Sequence, residues 1–408
     1  MVKRKKYRNL IGCLLFMGLL GLLGCGSPSS ASEADEGETT ETVSETDLGT
    51  DAQGAEAEQQ DTELVYKSSM ELQYAKNFTV DYYEGGYTLL STTVDGARFL
   101  IVPEEQPIPA QLDTSIVILK QPLDHLYLVA SAAMDMFREL DGMDCIRFSG
   151  QKMDGWYIDE ARAAMEEGKL IYAGKYNMPD YELILSEGCD LAIENTMISH
   201  SPEVVEKLHE FGIPVLIDYS SYESHPLGRA EWIKFYGALL GKQDEADAAF
   251  SEQTHALERV SEDAQTGKTV AFFYITSNGT VNVRKTADYV PQIIDLAGGS
   301  YIFQDLGSDE DHRSSVNMTM EEFYATAKDA DYLIYNSTID GEIQTVEELI
   351  EKSEMLGRFR AVQEGNVWCT TSDLYQHSMS VGSFTLDLHA MLTENDAHEY
   401  KYLYALKK

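Results

Sequence analysis

The sequence predicts an α/β protein of two Rossmann-like lobes joined by one long helix, with an antiparallel β extension before the first lobe. From residue 113 onward, short apolar strands alternate with helices, a pattern typical of parallel α/β units. One helical pattern over 229–266 separates two such groups of elements. Residues 64–110 instead contain β-forming runs separated by Gly-Gly and Asp-Gly turns, which predicts antiparallel strands.

The β extension is predicted over 64–112 and the first lobe over 113–228. The lobe is predicted to begin with the β-branched run Ile116–Leu119, which is expected of a strand covered on both faces. Later in this lobe, Ser201 and Pro202 suit the N-cap and the first position of a helix.

The connecting helix is predicted over 229–266 because Trp232, Phe235, Tyr236 and Leu239 recur at helical spacing, although Gly241 interrupts the pattern. After it, α/β alternation resumes and predicts a second lobe over 267–408. In that lobe Thr319 and Glu322 have the spacing of a capping box.

The N-terminus predicts export and lipid anchoring. A basic segment precedes the apolar run Ile11–Leu23, so residues 1–24 are predicted to be a signal peptide. Residues 22–25 resemble the lipobox of bacterial lipoproteins, which implies that Cys25 begins the mature chain and carries lipid. The alternative is an uncleaved anchor, but a spanning helix needs roughly 20 apolar residues. Both interpretations place the chain on the extracytoplasmic face of the cell membrane.

Residues 25–63 are predicted to form a disordered acidic tether. From Gly26 to Glu63 there is no Lys, Arg or aromatic residue. The whole chain has a net charge of −38, which becomes −43 without the five basic residues of the leader. Such a charge excludes nucleic acid as a partner, and it excludes electrostatic binding to anionic lipid through a cluster of basic residues.

The cysteines do not predict a metal site. Beyond the leader and Cys25 there remain Cys145, Cys189 and Cys369, with no CxxC spacing. Three separate buried thiols are one interpretation, and a Cys145–Cys189 bridge is the other. No metal site and no cofactor are predicted.

Several short stretches, in order along the chain, resemble elements of one protein family. Tyr181–Ile184 with Cys189–Ile193 resembles its E-x-I…P-D-L-V-I element, and Phe211–Val215 resembles its L-G-I-P-V element. Ala297–Gly299 resembles A-G-G, Ala330–Ile334 resembles P-D-x-I-I, and Ala361–Trp368 resembles A-V-K-x-G-R-V-Y. The family is that of class III, or helical-backbone, substrate-binding proteins of ABC importers, which bind ferric siderophores, haem or cobalamin. Cys189 and Ala330 depart from the pattern, because the family usually has Pro there.

This resemblance implies a monomeric lipoprotein that captures a metal chelate between two lobes and delivers it to a permease and ATPase complex. The alternative is a lipid-anchored chelate- or surface-binding protein that is not coupled to transport. No catalytic residue and no enzyme activity are predicted, because the GxSxG, Walker and post-strand GxGxxG motifs are all missing from the sequence.

The ligand is expected beyond the carboxyl ends of the strands, where open α/β sheets bind their ligands. The candidate loops are 120–122, 149–150, 194–196, 219–222, 276–279, 284, 336–337 and 375–377. Within them, the predicted ligand-binding residues are Lys120, Tyr219, Tyr222, Asn278, Arg284, Tyr375 and His377.

These residue types suit an anionic ligand with a planar face. Arg284 could clamp a carboxylate or an anionic ferric chelate, and the alternative is a surface salt bridge. The tyrosines could stack on a planar ligand or simply pack. His377 and His225 could be axial ligands of haem or a corrinoid, and the alternative is a structural role for each.

Two glutamates are candidates for docking on the permease. By the resemblance, one exposed glutamate on each lobe contacts permease arginines, and Glu182 and Glu321 match those positions. The alternative is that both acids only stabilise their own helices, because each lies near the positive, N-terminal end of a helix dipole.

Overall fold

A computed structural model describes residues 63–260, 265–307 and 314–408. The predicted signal peptide, Cys25 and the tether up to residue 62 lie outside the described residues. Within the described ranges, none of the helices has both the length and the apolar character needed to cross a bilayer.

The β extension is a five-stranded sheet in the order β1-β2-β3-β4-β5. Its strands are β1 (Tyr66–Ser69), β2 (Phe78–Tyr83), β3 (Thr88–Thr92), β4 (Arg98–Val102) and β5 (Ile116–Lys120). The first four strands pair antiparallel, as predicted, whereas β5 pairs parallel to β4. The predicted place of β5 in the first lobe is therefore wrong. Of its five residues only Leu119 is buried, because β5 is an edge strand rather than a strand covered on both faces.

The first lobe is built on a parallel sheet with the strand order β12-β11-β6-β7-β8. Its elements are β6 (Leu126–Leu128), α1 (Ala133–Glu139), β7 (Ile146–Ser149), α2 (Asp159–Glu166), β8 (Ile171–Tyr172), β9 (Gly174–Lys175), β10 (Met178–Pro179), α3 (Tyr181–Glu187), β11 (Leu191–Asn195), α4 (Pro202–Glu210) and β12 (Val215–Asp218). Strands β9 and β10 form a separate hairpin. The sequence pattern did not reveal β6, which lies at the centre of this sheet.

The connection between the lobes is helical, but the prediction of one long helix is wrong. It consists of α5 (Pro226–Glu231), α6 (Ile233–Leu240) and α7 (Gln243–Glu258). Gly241 adopts a left-handed conformation with φ 72° and ends α6, and Lys242 is also non-helical. Helix α6 is buried almost along its whole length, which explains its run of apolar residues.

The second lobe contains a mixed sheet in the order β16-β14-β13-β17-β18-β19, with β15 paired to β13. Its elements are β13 (Thr269–Ile275), β14 (Val281–Arg284), α8 (Tyr289–Leu296), β15 (Ser300–Tyr301), β16 (Ser315–Met318), α9 (Met320–Ala327), β17 (Tyr332–Tyr335), α10 (Ser337–Asp340), α11 (Val346–Lys352), α12 (Arg360–Glu364), β18 (Val367–Thr370), α13 (Val381–Leu392) and β19 (Leu403–Ala405). The predicted α/β class is confirmed. The predicted capping box at Thr319 and Glu322 is also confirmed.

Two buried carboxylates attach the β extension to helix α5 and the turn before it. Glu231 is fully buried, and it accepts hydrogen bonds from the backbone N–H groups of Gln73, Tyr74 and Ala75 at 2.7–2.8 Å. Glu223 accepts from the next two N–H groups, at residues 76 and 77. Together they satisfy the polar backbone of the 73–77 loop between β1 and β2, which is otherwise costly to bury.

We expect Glu231→Ala to lower the free energy of unfolding by about 3 kcal/mol, because three backbone donors lose a charged acceptor. Urea unfolding of the purified protein measures this change. Glu206 is an exposed glutamate on α4, so Glu206→Ala should stay within about 0.5 kcal/mol of the parent. An equal effect of the two substitutions would show that the contacts of Glu231 do not stabilise the fold.

Candidate functional site

A small cavity lies at the carboxyl ends of parallel strands from both lobes. Its volume is 30 Å³. The first lobe contributes the segments after β6 and β12, and the second contributes α8 and the segment between β18 and α13. The polar side chains that line it are Ser220, Arg229, Tyr289, Tyr375, His377, Ser378 and Ser380. The cavity therefore lies beyond strand ends of both lobes, where open α/β sheets commonly bind ligands.

Two arginines and two tyrosines form a stack beside this cavity. The guanidinium carbon of Arg229 lies 4.0 Å from the centre of the Tyr289 ring, at cation–π distance. The guanidinium carbon of Arg284 lies 5.0 Å from the centre of the Tyr375 ring and 5.9 Å from that of Tyr289. Two positive charges are thus concentrated on aromatic surfaces in a protein that is strongly acidic overall.

Arg284 is not the surface ion pair that was the alternative interpretation. Its side chain is only 13% exposed, and its Nε lies 3.5 Å from Oδ1 of Asp288 without forming a hydrogen bond. Its Nη2 donates to the Tyr375 hydroxyl, which also accepts from Nδ2 of Asn336 at 3.0 Å. Burial alone would lower the pKa of Arg284, but its contacts with Tyr375 and Asp288 outweigh burial and raise that pKa, so the group stays charged.

Arg229 and Tyr289 were not predicted as site residues. Arg229 lies within α5, and the sequence pattern identified only the apolar face of this helical region. Nη1 of Arg229 makes one long hydrogen bond, 3.4 Å, to the Ser221 carbonyl oxygen. A single arginine just after a strand-end loop in an acidic chain was the signal that could have revealed it.

Of the seven predicted ligand residues, two line the cavity, one contacts a lining residue, and four do neither. Tyr375 and His377 line the cavity, and Arg284 contacts Tyr375. Tyr219 packs against Tyr222 with ring centres 5.5 Å apart and donates a hydrogen bond to Asp95 of the extension.

The other two predicted residues lie elsewhere. Lys120 is the exposed last residue of β5 and belongs to the extension sheet. The side-chain oxygen of Asn278 accepts from the Thr276 and Thr280 hydroxyls and stabilises its own turn.

The histidines are held by structural contacts. Nδ1 of His377 lies 3.3 Å from the Tyr402 hydroxyl and 3.4 Å from Oδ2 of Asp373. Nδ1 of His225 accepts from the backbone N–H of Leu227, and its ring stacks on Tyr74. Among the described residues, no three His, Cys, Asp or Glu side chains are arranged to hold a metal ion. Cys145, Cys189 and Cys369 are free thiols.

The candidate docking glutamates are both exposed. Glu182 lies in the first turn of α3, where Asp180 caps the helix by accepting from Leu183 N–H. Glu321 lies in the first turn of α9, and the neighbouring Glu322 forms the capping box. Within the described ranges, neither Glu182 nor Glu321 forms an ion pair, so both carboxylates are available to a partner.

Residues 151–374 match the family described as "Periplasmic binding protein", and this is more than half of the chain. The chain therefore belongs to the periplasmic binding protein family, and the predicted class of ABC-transporter substrate-binding protein is confirmed. An uncharacterized lipoprotein of Methanocaldococcus jannaschii is 24% identical over 75% of this chain and 77% of its own length.

Solved structures share the fold. A periplasmic binding protein from Veillonella parvula superposes with a TM-score of 0.56 and 19% identity, over 77% of this chain and all of the other. A periplasmic heme binding protein from Pseudomonas aeruginosa superposes with a TM-score of 0.55 and 16% identity, over 70% of this chain and 98% of the other.

Glu194 was predicted on a ligand loop, but it is a fully buried residue of strand β11. It lies on the same face of the strand as Ala192, against the apolar cluster that contains Tyr127. Neither of its carboxyl oxygens has a hydrogen-bond partner. Burial raises the pKa of Glu194 from 4.5 to about 8, so the group is protonated at neutral pH.

We expect this acid to make the fold less stable as the pH rises from 4.5 to about 8. An unfolded chain ionises Glu194 near pH 4.5 and the folded chain only near pH 8, so the stability from its protonated form is lost between these values. Glu194→Gln should gain about 4 kcal/mol relative to the parent between pH 4.5 and pH 9. Urea unfolding at both pH values tests this, and a constant difference between variant and parent would refute it.

Proposed function

We propose that this protein is an extracytoplasmic solute-binding lipoprotein that captures an anionic iron chelate, or a related haem or corrinoid ligand, between its lobes and delivers it to an ABC importer. The observation that carries the proposal is the stack of Arg229, Tyr289, Arg284 and Tyr375 at the meeting point of the two sheets. Guanidinium groups bind carboxylates and similar oxygen anions, and tyrosine rings offer flat apolar surface.

The comparisons support this class of cargo and this mode of attachment. Neighbours in fold include the heme binding protein of Pseudomonas aeruginosa and a petrobactin-binding protein from Bacillus subtilis. Relatives from Methanocaldococcus jannaschii are named lipoproteins, which supports lipid attachment at Cys25. The lipid would hold the protein at the outer face of the cell membrane, beside a permease and its ATPase, and the protein would act as a monomer.

A thermal-shift panel identifies the cargo. The ligands are haemin, cobalamin, cobinamide and a set of ferric siderophores. A ligand at one hundred times its dissociation constant should add roughly 2.7 kcal/mol of stability. A rise in the melting temperature with one class of ligand identifies the cargo. If no ligand shifts the melting temperature, the proposed cargo class is wrong.

For the ligand that binds, Arg229→Met should weaken affinity by about ten- to a hundredfold, because a charge-assisted contact is lost while the apolar stem is kept. Titration calorimetry measures this change. Arg229→Lys should recover only part of the affinity, because it restores the charge without the planar fork. Arg162 is exposed on α2, and Arg162→Met is the matched control that should bind like the parent. Equal affinity of Arg229→Met and the control would refute the role of the stack.

Coupling to transport is the second part of the proposal. Reversing both docking charges, Glu182→Lys with Glu321→Lys, should abolish uptake in cells and leave the dissociation constant unchanged. The control reverses Glu206 and Glu351, which are exposed acids on α4 and α11. Loss of ligand affinity in the first double variant would refute the docking role. Cells that take up the ligand equally well without this protein would favour the chelate-binding protein not coupled to transport.

A further inference from the structure

The side chain of Gln376, between the cavity-lining residues Tyr375 and His377, contacts the first lobe. Gln376 belongs to the segment between β18 and α13 of the second lobe. Its Nε2 donates to the Gly155 carbonyl oxygen of the first lobe at 2.7 Å, and its Oε1 accepts from Tyr157 N–H at 2.8 Å. Both ends of one amide are therefore used across the gap between the lobes.

The first-lobe partners of Gln376 are held in place by contacts within the first lobe. Trp156, between them in sequence, is 2% exposed, and its Nε1 donates to the Ser149 hydroxyl at 3.1 Å. The Gly155 carbonyl also accepts from the side chain of Gln151. The 155–157 loop is thus a fixed platform at the end of β7.

Other contacts hold the second-lobe segment on both sides of Gln376. On one side, the N–H and the hydroxyl of Ser372 donate to Oε1 of Glu342 at 2.9 Å, and the Tyr375 hydroxyl is bonded to Arg284 and Asn336.

On the other side, Met379, three residues beyond Gln376, is buried, and its N–H donates to the carboxylate of Asp135 on α1 at 2.8 Å. The Ser378 hydroxyl donates to the Ala132 carbonyl oxygen at 2.7 Å. Gln376 itself is half-buried, and its partner Tyr157 is 47% exposed. The contact of Met379 is buried, that of Ser378 is partly buried, and the two contacts of Gln376 are partly buried and exposed.

The cavity under this segment is too small for a bulky cargo. Ligand pockets usually measure about 300–1,000 Å³, and this cavity measures 30 Å³. Tyr375, His377, Ser378 and Ser380, from the same segment, form part of its wall. Entry of a chelate therefore requires the cavity wall, of which this segment is one part, to move.

We propose that Gln376 is a latch that holds the 371–380 segment closed over the site, and that its two hydrogen bonds must break before cargo enters or leaves. Ser372 on one side and Ser378 with Met379 on the other act as the two hinges, and the hydrogen bonds of the Tyr375 hydroxyl break together with those of Gln376. This inference rests on the proposed function, because it assumes that the cargo binds between the lobes.

Hydrogen exchange on the purified full-length protein tests the latch without any ligand. Gln376→Met keeps the length of the side chain and removes both hydrogen bonds. We expect exchange of the Tyr157 amide to become about tenfold faster, with no change in the urea midpoint. Gln363 is exposed on α12, so Gln363→Met is the matched control that should exchange like the parent. Unchanged exchange at Tyr157 in Gln376→Met overturns the proposal.

Stopped-flow binding of haemin, followed by tryptophan fluorescence, provides the second readout. A latch predicts that Gln376→Met raises both the association and the dissociation rate, about tenfold each, with little change in affinity. Affinity that falls while association stays constant overturns the latch, because Gln376 would then be a simple ligand contact. Faster exchange together with no haemin binding by any variant supports the latch and counts against haem as the cargo in the proposed function.

Discussion

The attachment of the 73–77 loop to Glu231 and Glu223 is the constraint on which the rest of the structure depends. A five-stranded sheet that precedes a two-lobed domain could have been joined to it only through apolar contacts, which tolerate sliding. Here, five consecutive backbone N–H groups are bonded to two buried carboxylates. This arrangement does not tolerate sliding, because each hydrogen bond has a direction and a length. The attachment fixes the extension against α5, the first helix of the connection between the lobes.

Charge is distributed very unevenly in this protein. The chain as a whole carries −38, yet the meeting point of the lobes contains Arg229 and Arg284 with Asp288 as the close acidic neighbour. Charges on the outer surface are screened within about 8 Å at physiological ionic strength, whereas buried ones are screened far less. The electrostatic potential that acts on an anion in the cavity is therefore determined by the two arginines and not by the net charge of the chain.

Local patterns predicted much of this architecture, and pairing between distant segments was the part that they could not supply. The capping box at Thr319 and the break at Gly241 depend on a few neighbouring residues, so both could be recognised in the sequence. The strand Ile116–Lys120 has the composition of a buried lobe strand, but composition does not specify which sheet a strand joins. The same limit explains why only some of the residues at the candidate site were predicted. Arg284 and Tyr375 were predicted singly from strand-end loops, whereas Arg229 reaches them from a helix whose position depends on the extension.

Helix α5 has two attachments within six residues, a length of about 9 Å. Glu231 binds the backbone of the 73–77 loop, and Arg229 lies against Tyr289 at the cavity. The extension thus supports a residue of the cavity wall through the helix that carries it. Sequence changes in that loop can shift Arg229 by fractions of an ångström while every residue that faces the ligand stays the same. Under the proposed function, substitutions in the extension would change affinity without replacing any residue that lines the cavity.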